Sequence, residues 1–214
     1  DIENLPTFFD KLSTYQPDVL ISVGDISDST FPKGFSSLDI GRIFLEEVKE
    51  VSKNVLVVPG TWDKELIDFF EKKGVSLHGR GKVVKNVGFY GFGGAQTPFN
   101  TPYEPSEKEI EEGLIKGFEM VKNLEIKIQL THSPPFGTVL DIVGGRHVGS
   151  QAVRKCIETL KPQVAVCSHI HEGMGKDRIN ETTILNVGKF FEGYFGLIEI
   201  DDGKIQKVEL MNLI

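Results

Sequence analysis

Val164-Ala165-Val166-Cys167-Ser168-His169-Ile170-His171-Glu172 is an apolar run of strand type that stops abruptly at two histidines one residue apart. In extended backbone, residues two apart point to the same side. Both imidazoles can therefore face one site just past the strand's end, and histidine is the commonest metal-ligating side chain. Taken alone, the pair reads equally well as two polar residues at a strand exit. The rest of the chain decides, because it supplies three more strand ends that carry polar, ligand-type residues.

The first is 19–23, a β-branched run leading into Gly24-Asp25-Ile26-Ser27-Asp28. The second is 54–58, ending in Pro59-Gly60-Thr61-Trp62-Asp63, and the third is 125–130, ending in Thr131-His132. Between them lie stretches of helical period. Residues 5–12 form one. Residues 39–51 form another, with Ile40, Phe44, Leu45, Val48 and Val51 as its stripe, and 64–73 a third, closed by Gly74. Ser106 and Glu109 make a capping box ahead of the stripe Ile110, Leu114, Phe118 and Val121, and Ser150 is the N-cap of a helix ending before Pro162. Further strands are expected at 82–84, 87–90, 182–187, 195–200 and 205–210. Strands alternate with helices for two thirds of the chain and dominate its end. The pattern predicts an α/β fold, helices outside a central sheet or pair of sheets, with an antiparallel portion. The 214 residues show no repeat or linker, so one domain over 1–214 is expected.

The net charge of -7, with no run of Lys or Arg, excludes bulk affinity for nucleic acid or membrane surfaces. An anionic substrate must then be drawn locally, and bound metal would serve. Cys156 and Cys167 fall in a helical and a strand pattern and read as buried small hydrophobes of a reducing, cytoplasmic compartment. No stretch is long and apolar enough to span a bilayer, and no signal peptide is visible. The sequence starts at Asp1, so a first strand is expected to precede it. The apolar residues of 190–196 leave core and homo-oligomer interface both open.

In α/β sheets ligands gather beyond the carboxyl ends of strands. Mixed histidine and carboxylate ligands from several strands suit a dinuclear hydrolytic site in which one carboxylate bridges two divalent ions. Asp25 is the natural bridge. At this point the chain resembles the calcineurin-like metallophosphoesterases, whose motifs run Asp-x-His, Gly-Asp-x-x-Asp, Gly-Asn-His-Asp, a histidine after a strand, and Gly-His-x-His. Asp1-Ile2-Glu3, Gly24-Asp25-Ile26-Ser27-Asp28, Gly60-Thr61-Trp62-Asp63, His132 and Ser168-His169-Ile170-His171 keep that order. Gly91-Phe92-Gly93-Gly94, the 97–102 stretch, Thr131-His132-Ser133-Pro134-Pro135 and His147-Val148-Gly149-Ser150 resemble the Icc-related branch.

The resemblance implies a two-layer β-sandwich of mixed sheets flanked by helices, holding two divalent ions (Mn, Fe, Zn or Mg). One ion would take Asp1, Glu3, Asp25 and His171; the other, Asp25, Thr61, His132 and His169. The implied activity is hydrolysis of small phosphomono- or diesters by attack of a metal-bridging hydroxide. Asp25, His132 and His147 are the candidate catalytic residues.

Three positions depart from the family pattern. Glu3 stands for histidine and removes a positive charge from the site. Together with the other oxygen ligands it favours Mn or Mg over Zn there. Thr61 stands for the ligand asparagine. Trp62 stands for the histidine usually credited with protonating the leaving group, which it cannot do. Activated esters would then be preferred, unless His147 is the acid. Two rival readings follow: a degenerate member with one metal or none that acts as a binding or scaffold protein, and a metal-dependent hydrolase of another bond such as an amide. Among the remaining polar residues, Asp63 reads as a helix cap, Asp28 as a turn residue, and His78 as an exposed or packing histidine.

Overall fold

A computed structural model describes residues 5–28 and 33–214. The first half of the chain runs α1 (Leu5–Ser13), β1 (Leu20–Ser22), α2 (Ser37–Val51), β2 (Val55–Val57), α3 (Ile67–Lys72), β3 (Arg80–Val84) and β4 (Val87–Phe92). Next come α4 (Glu107–Glu119), β5 (Ile126–Thr131), the short pair β6 (Ile142–Val143) and β7 (Arg146–His147), α5 (Gln151–Leu160) and β8 (Val164–Cys167). The chain closes with β9 (Gly175–Ile179), β10 (Thr182–Asn186), β11 (Tyr194–Asp201) and β12 (Lys204–Asn212).

Six strands form one mixed sheet in the order β3-β4-β5-β8-β10-β9, parallel from β4 to β10 and antiparallel at both edges. Alternation along each strand sorts its side chains between two cores. Phe89, Ile128, Leu130, Val164, Val166 and Leu185 face one way and meet Val23, Leu56, Val58 and Val208. That second layer is the parallel pair β1-β2 with the antiparallel hairpin β11-β12. Tyr90, Ala165, Cys167 and Ile184 face the other way, under Ile110 and Leu114 of α4 and Val153, Cys156 and Ile157 of α5. Val55 and Val57 turn outward onto Leu45, Val48 and Phe70 of the remaining helices. The architecture is the expected β-sandwich of mixed sheets with helices on both outer faces.

Both cysteines are buried and unpaired, and burial pushes the Cys156 thiol up to about 12, so they pack as hydrophobes. The expected capping box at Ser106 and Glu109 and the N-cap at Ser150 are present. Two features were not foreseen. β9 reads Gly-Lys-Asp-Arg-Ile, polar because it is an edge strand with one wet face. The glycine-rich loop at 141–147 is a two-residue hairpin, with Gly144 and Gly145 at φ +56° and +79°, the backbone such tight turns require. No helix among the described residues is long and apolar enough to cross a membrane.

Candidate metal centre

The ends of β1, β2, β4, β5 and β8 converge through backbone contacts. Pro59 O accepts from Gly94 N at 2.8 Å and His132 O from Ser168 N at 3.1 Å. The ends of β1 and β2 touch directly, and only glycine permits it. A Cβ at Gly24 would lie 2.2 Å from Gly60 N, and one at Gly60 would lie 2.1 Å from Asp25 N. Asp25 and His169 sit at φ +54° and +67°. Such left-handed conformations are unfavourable for residues with a Cβ, and they collect at functional sites.

Asp25, His132 and His169 come together, each offering a ligand atom within 4.8 Å of the others. His132 is 1% exposed. Its Nδ1 lies 2.6 Å from Val23 O. A carbonyl only accepts, so Nδ1 carries the hydrogen and, in the neutral ring, Nε2 is a bare lone pair. That Nε2 lies 3.2 Å from Asp25 Oδ2 without hydrogen-bond geometry, and it is buried with no hydrogen-bond partner. A lone pair beside a carboxylate, out of water, requires a cation between them, either a proton or a metal ion. The local electrostatics agree. Burial opposes ionisation of both groups, yet mutual attraction wins, lowering Asp25 to about 2 and raising His132. His169 is pushed down to about 4 by burial and by the charge of His132, which leaves it neutral and ready to ligate at neutral pH. The donor set of one carboxylate and two imidazoles therefore fits a divalent transition metal.

The other expected ligands are distributed around this triad. Thr61 is 1% exposed, and its hydroxyl donates to Asp25 Oδ1 at 3.2 Å. Trp62 adds a backbone N–H to the same oxygen at 3.2 Å. His171 opens the short turn His171–Gly173 and is exposed, outside the tight group but within reach of the charges of Asp25 and His132. Asp1 and Glu3 lie outside the described residues. His147 stands apart from the triad on the β6-β7 hairpin, paired with Asp141 at 2.7 Å.

Asp63 differs from its expected role. It stands at a cap position yet makes no side-chain cap bond. Its carboxylate, 0% exposed, instead accepts from Ser27 N and Ser27 Oγ on one oxygen and from Ile26 N and Gly60 N on the other. It thus fastens the Asp25 loop to the Thr61 loop, and burial raises its pKa. His78 is a packing histidine: its ring lies 4.0 Å from Phe92, Nδ1 accepts from Gly93 N, Nε2 meets Tyr103 Oη at 2.9 Å, and burial lowers its pKa to about 4.

Glu104 was not picked out from the sequence. Its Oε1 accepts from Thr97 Oγ1, Thr101 N and Thr101 Oγ1, which closes the 97–104 loop, and its charge acts on His169. Bonds from Thr97 and then Thr101 lower its pKa from 4.5 to about 2. A depressed carboxyl contributes stability above its unfolded value and loses it as pH falls through the folded one. This loop should therefore loosen between about 4.5 and 2, seen as faster amide exchange at Thr101 after correction for intrinsic rate. A protection factor at Thr101 that stays flat across that window would contradict the assignment.

Residues 35–210 match the family model described as metallophosphoesterase, calcineurin superfamily. An uncharacterized protein of Methanocaldococcus jannaschii, MJ1162, is 38% identical over 178 residues, 79% of this chain and 76% of that protein. The crystal structure of TT1561 of Thermus thermophilus is similar with a TM-score of 0.71 at 20% identity, covering 99% of this chain and 93% of that one. A 5'-nucleotidase from Candida albicans aligns with a TM-score of 0.52 at 17% identity, over 88% of this chain and 42% of its own. At such identities the two structures share the fold.

Proposed function

The chain belongs to the calcineurin superfamily of metallophosphoesterases, and from that membership we propose that it is a metal-dependent phosphoesterase acting on small phosphomono- or diesters. One observation carries the reading: the buried, unpartnered Nε2 of His132 faces Asp25 Oδ2 with His169 alongside. A fold that had lost its metal would have no reason to keep an orphaned imidazole nitrogen against a carboxylate.

Two divalent ions fit the reading, with manganese favoured by the oxygen-rich set. Asp25, Thr61, His132 and His169 would hold one, and Asp1, Glu3, Asp25 and His171 the other. When bound, such ions neutralise phosphoryl oxygens and make water acidic enough to attack near neutral pH. The chain's own part is positioning. Val23 O fixes the tautomer of His132, as partners of metal-bound histidines generally do. Thr61 and the Trp62 N–H hold one oxygen of Asp25 and leave the other toward His132. Trp62 has no acidic proton to give, which leaves His147 as the candidate acid. The two unpaired cysteines suit a reducing cytoplasm, and the motifs of 91–102 and 131–150 favour the Icc-related branch.

Manganese-loaded protein, screened against phosphomono- and diesters, should hydrolyse at least one class, and chelation should stop it. Protein that takes up no divalent ion, or that holds ions and cleaves an amide instead, would remove this reading.

A further inference from the structure

The segment after His132 has features the metal centre does not use. It runs through Phe136 into the turn Val139–Asp141 and the β6-β7 hairpin, and its base is closed by Phe136 N to Ser150 O and Ser150 N to Pro134 O. β6 packs against the His171–Gly173 turn. Leu140 O comes so close that a Cβ on Gly173 would lie 2.1 Å from it. The hairpin therefore spans from the loop of His132 to the turn of His171, the two segments that carry proposed metal ligands beside it.

At its centre Asp141 is 0% exposed. It accepts from Gly137 N and Gly149 N on Oδ2, and from Thr138 N and His147 Nδ1 on Oδ1, the last at 2.7 Å. Backbone donors alone would satisfy this carboxylate and cap the turn. The added partner is an imidazole whose side chain is 43% exposed, packed 5.6 Å from the Phe136 ring. With Nδ1–H given to Asp141, Nε2 is the nitrogen left for a ligand. Around it Phe136, Val139, Ile142, Val143 and Val148 are exposed, an apolar concentration of the kind that marks binding surfaces.

We propose that this hairpin is the leaving-group subsite: His147 protonates the departing ester oxygen, Asp141 is the positioning residue that fixes its ring, and the apolar side chains select phosphate esters of apolar, unactivated alcohols. The proposal rests on the phosphoesterase reading above. The step balances as hydrolysis. Water oxygen forms the new bond to phosphorus, the bond from phosphorus to the alcohol oxygen breaks, and that oxygen takes the proton from His147 Nε2. The proton released by the water passes to solvent, from which His147 is reprotonated. Trp62, where the family histidine would stand, then needs no acidic role, and poor leaving groups become accessible.

The test compares p-nitrophenyl, phenyl and n-hexyl phosphates on manganese-loaded protein. His147→Gln should lower kcat on the hexyl ester by about 10²–10⁴-fold, the usual share of general acid catalysis, and far less on the nitrophenyl ester, whose oxygen leaves unaided. Asp141→Asn should follow the same order with smaller losses. If that buried substitution unfolds the protein, His147→Gln, at a half-exposed position, still decides. A uniform loss across the three esters, or none, overturns the proposal while leaving the phosphoesterase reading intact. Failure of the unmodified protein on every phosphoester overturns both.

A readout independent of activity is the imidazole ¹⁵N spectrum of metal-free protein at alkaline pH, where the imidazoles are neutral. It should show His147 as the Nδ1–H tautomer, converted toward Nε2–H in Asp141→Asn; an Nε2–H tautomer in the unmodified protein overturns the dyad. For the apolar part, Val143→Ser with Val148→Ser should raise KM for hexyl phosphate by about tenfold and for methyl phosphate by less. Equal shifts overturn that selectivity.

Discussion

Exchange of Asp25 for asparagine is expected to strip both divalent ions from the protein while leaving it folded. The amide oxygen can keep the Thr61 hydroxyl and Trp62 N–H that now meet Oδ1. An uncharged NH₂ then stands at the position of Oδ2, 3.2 Å from His132 Nε2. The substitution thus removes the charge that holds the cation while keeping the shape of the side chain. Loss of a hydrogen-bond partner behind a metal ligand weakens metal affinity roughly 10–100-fold, so loss of a shared ligand should exceed that for both ions. Elemental analysis after manganese reconstitution should read two ions per chain before the exchange and none after it. Ions retained by the Asp25→Asn protein would show that the centre is assembled elsewhere. Its thermal stability without metal should fall modestly at neutral pH, because a carboxyl held down at about 2 contributes stability there and the amide does not.

The largest loss of stability should come from Asp63→Ala. The carboxylate is the acceptor for Ile26 N, Ser27 N, Ser27 Oγ and Gly60 N, all at 3.2 Å or less. An unsatisfied buried donor costs about 1–3 kcal/mol. Water entering the vacated space and rotation of the Ser27 hydroxyl recover part of the total. About 4 kcal/mol is expected, which for a domain of this size is roughly 8–16 °C in Tm. Asp63→Asn should recover only part of it, since its NH₂ meets a backbone N–H whichever way the amide turns. Denaturant unfolding of the metal-free proteins separates this loss from any change in metal affinity. A loss below about 1 kcal/mol for Asp63→Ala, the low end for a single unpaired donor, would mean that the two loops hold each other by backbone contact alone. Asp63→Ala should also weaken metal binding, because the Asp25 and Thr61 loops then lose their common anchor.

These two aspartates show how far a linear reading reaches. Asp25 was legible because a β-branched run ends in Gly-Asp and three other runs end in comparable clusters, a pattern local to each strand. Asp63 was misassigned for the converse reason. Its place before a short helix is local and points to a cap, whereas two of the residues it binds, Ile26 and Ser27, lie 37 and 36 positions away. Glu104 and Asp141 also went unranked. Each closes its own loop, but what matters is the neighbour it reaches: His169 through its charge for Glu104, and His147 for Asp141.

Strand β9 was missed because period and apolarity identify strands buried on at least one face, and an edge strand of Gly, Lys, Asp and Arg shows neither. The fold class, the order of the main helices and buried strands, and the list of candidate metal ligands were legible in the sequence alone. Alternation, helical stripes and caps are properties of neighbouring residues, and the motif order is written along one chain. Only the tertiary structure decided which carboxylates are buried, which imidazole nitrogen is left bare, and which loops share an anchor. The His132 tautomer and the Asp63 anchor are set by groups brought together from distant parts of the chain, and no short window of sequence contains both partners.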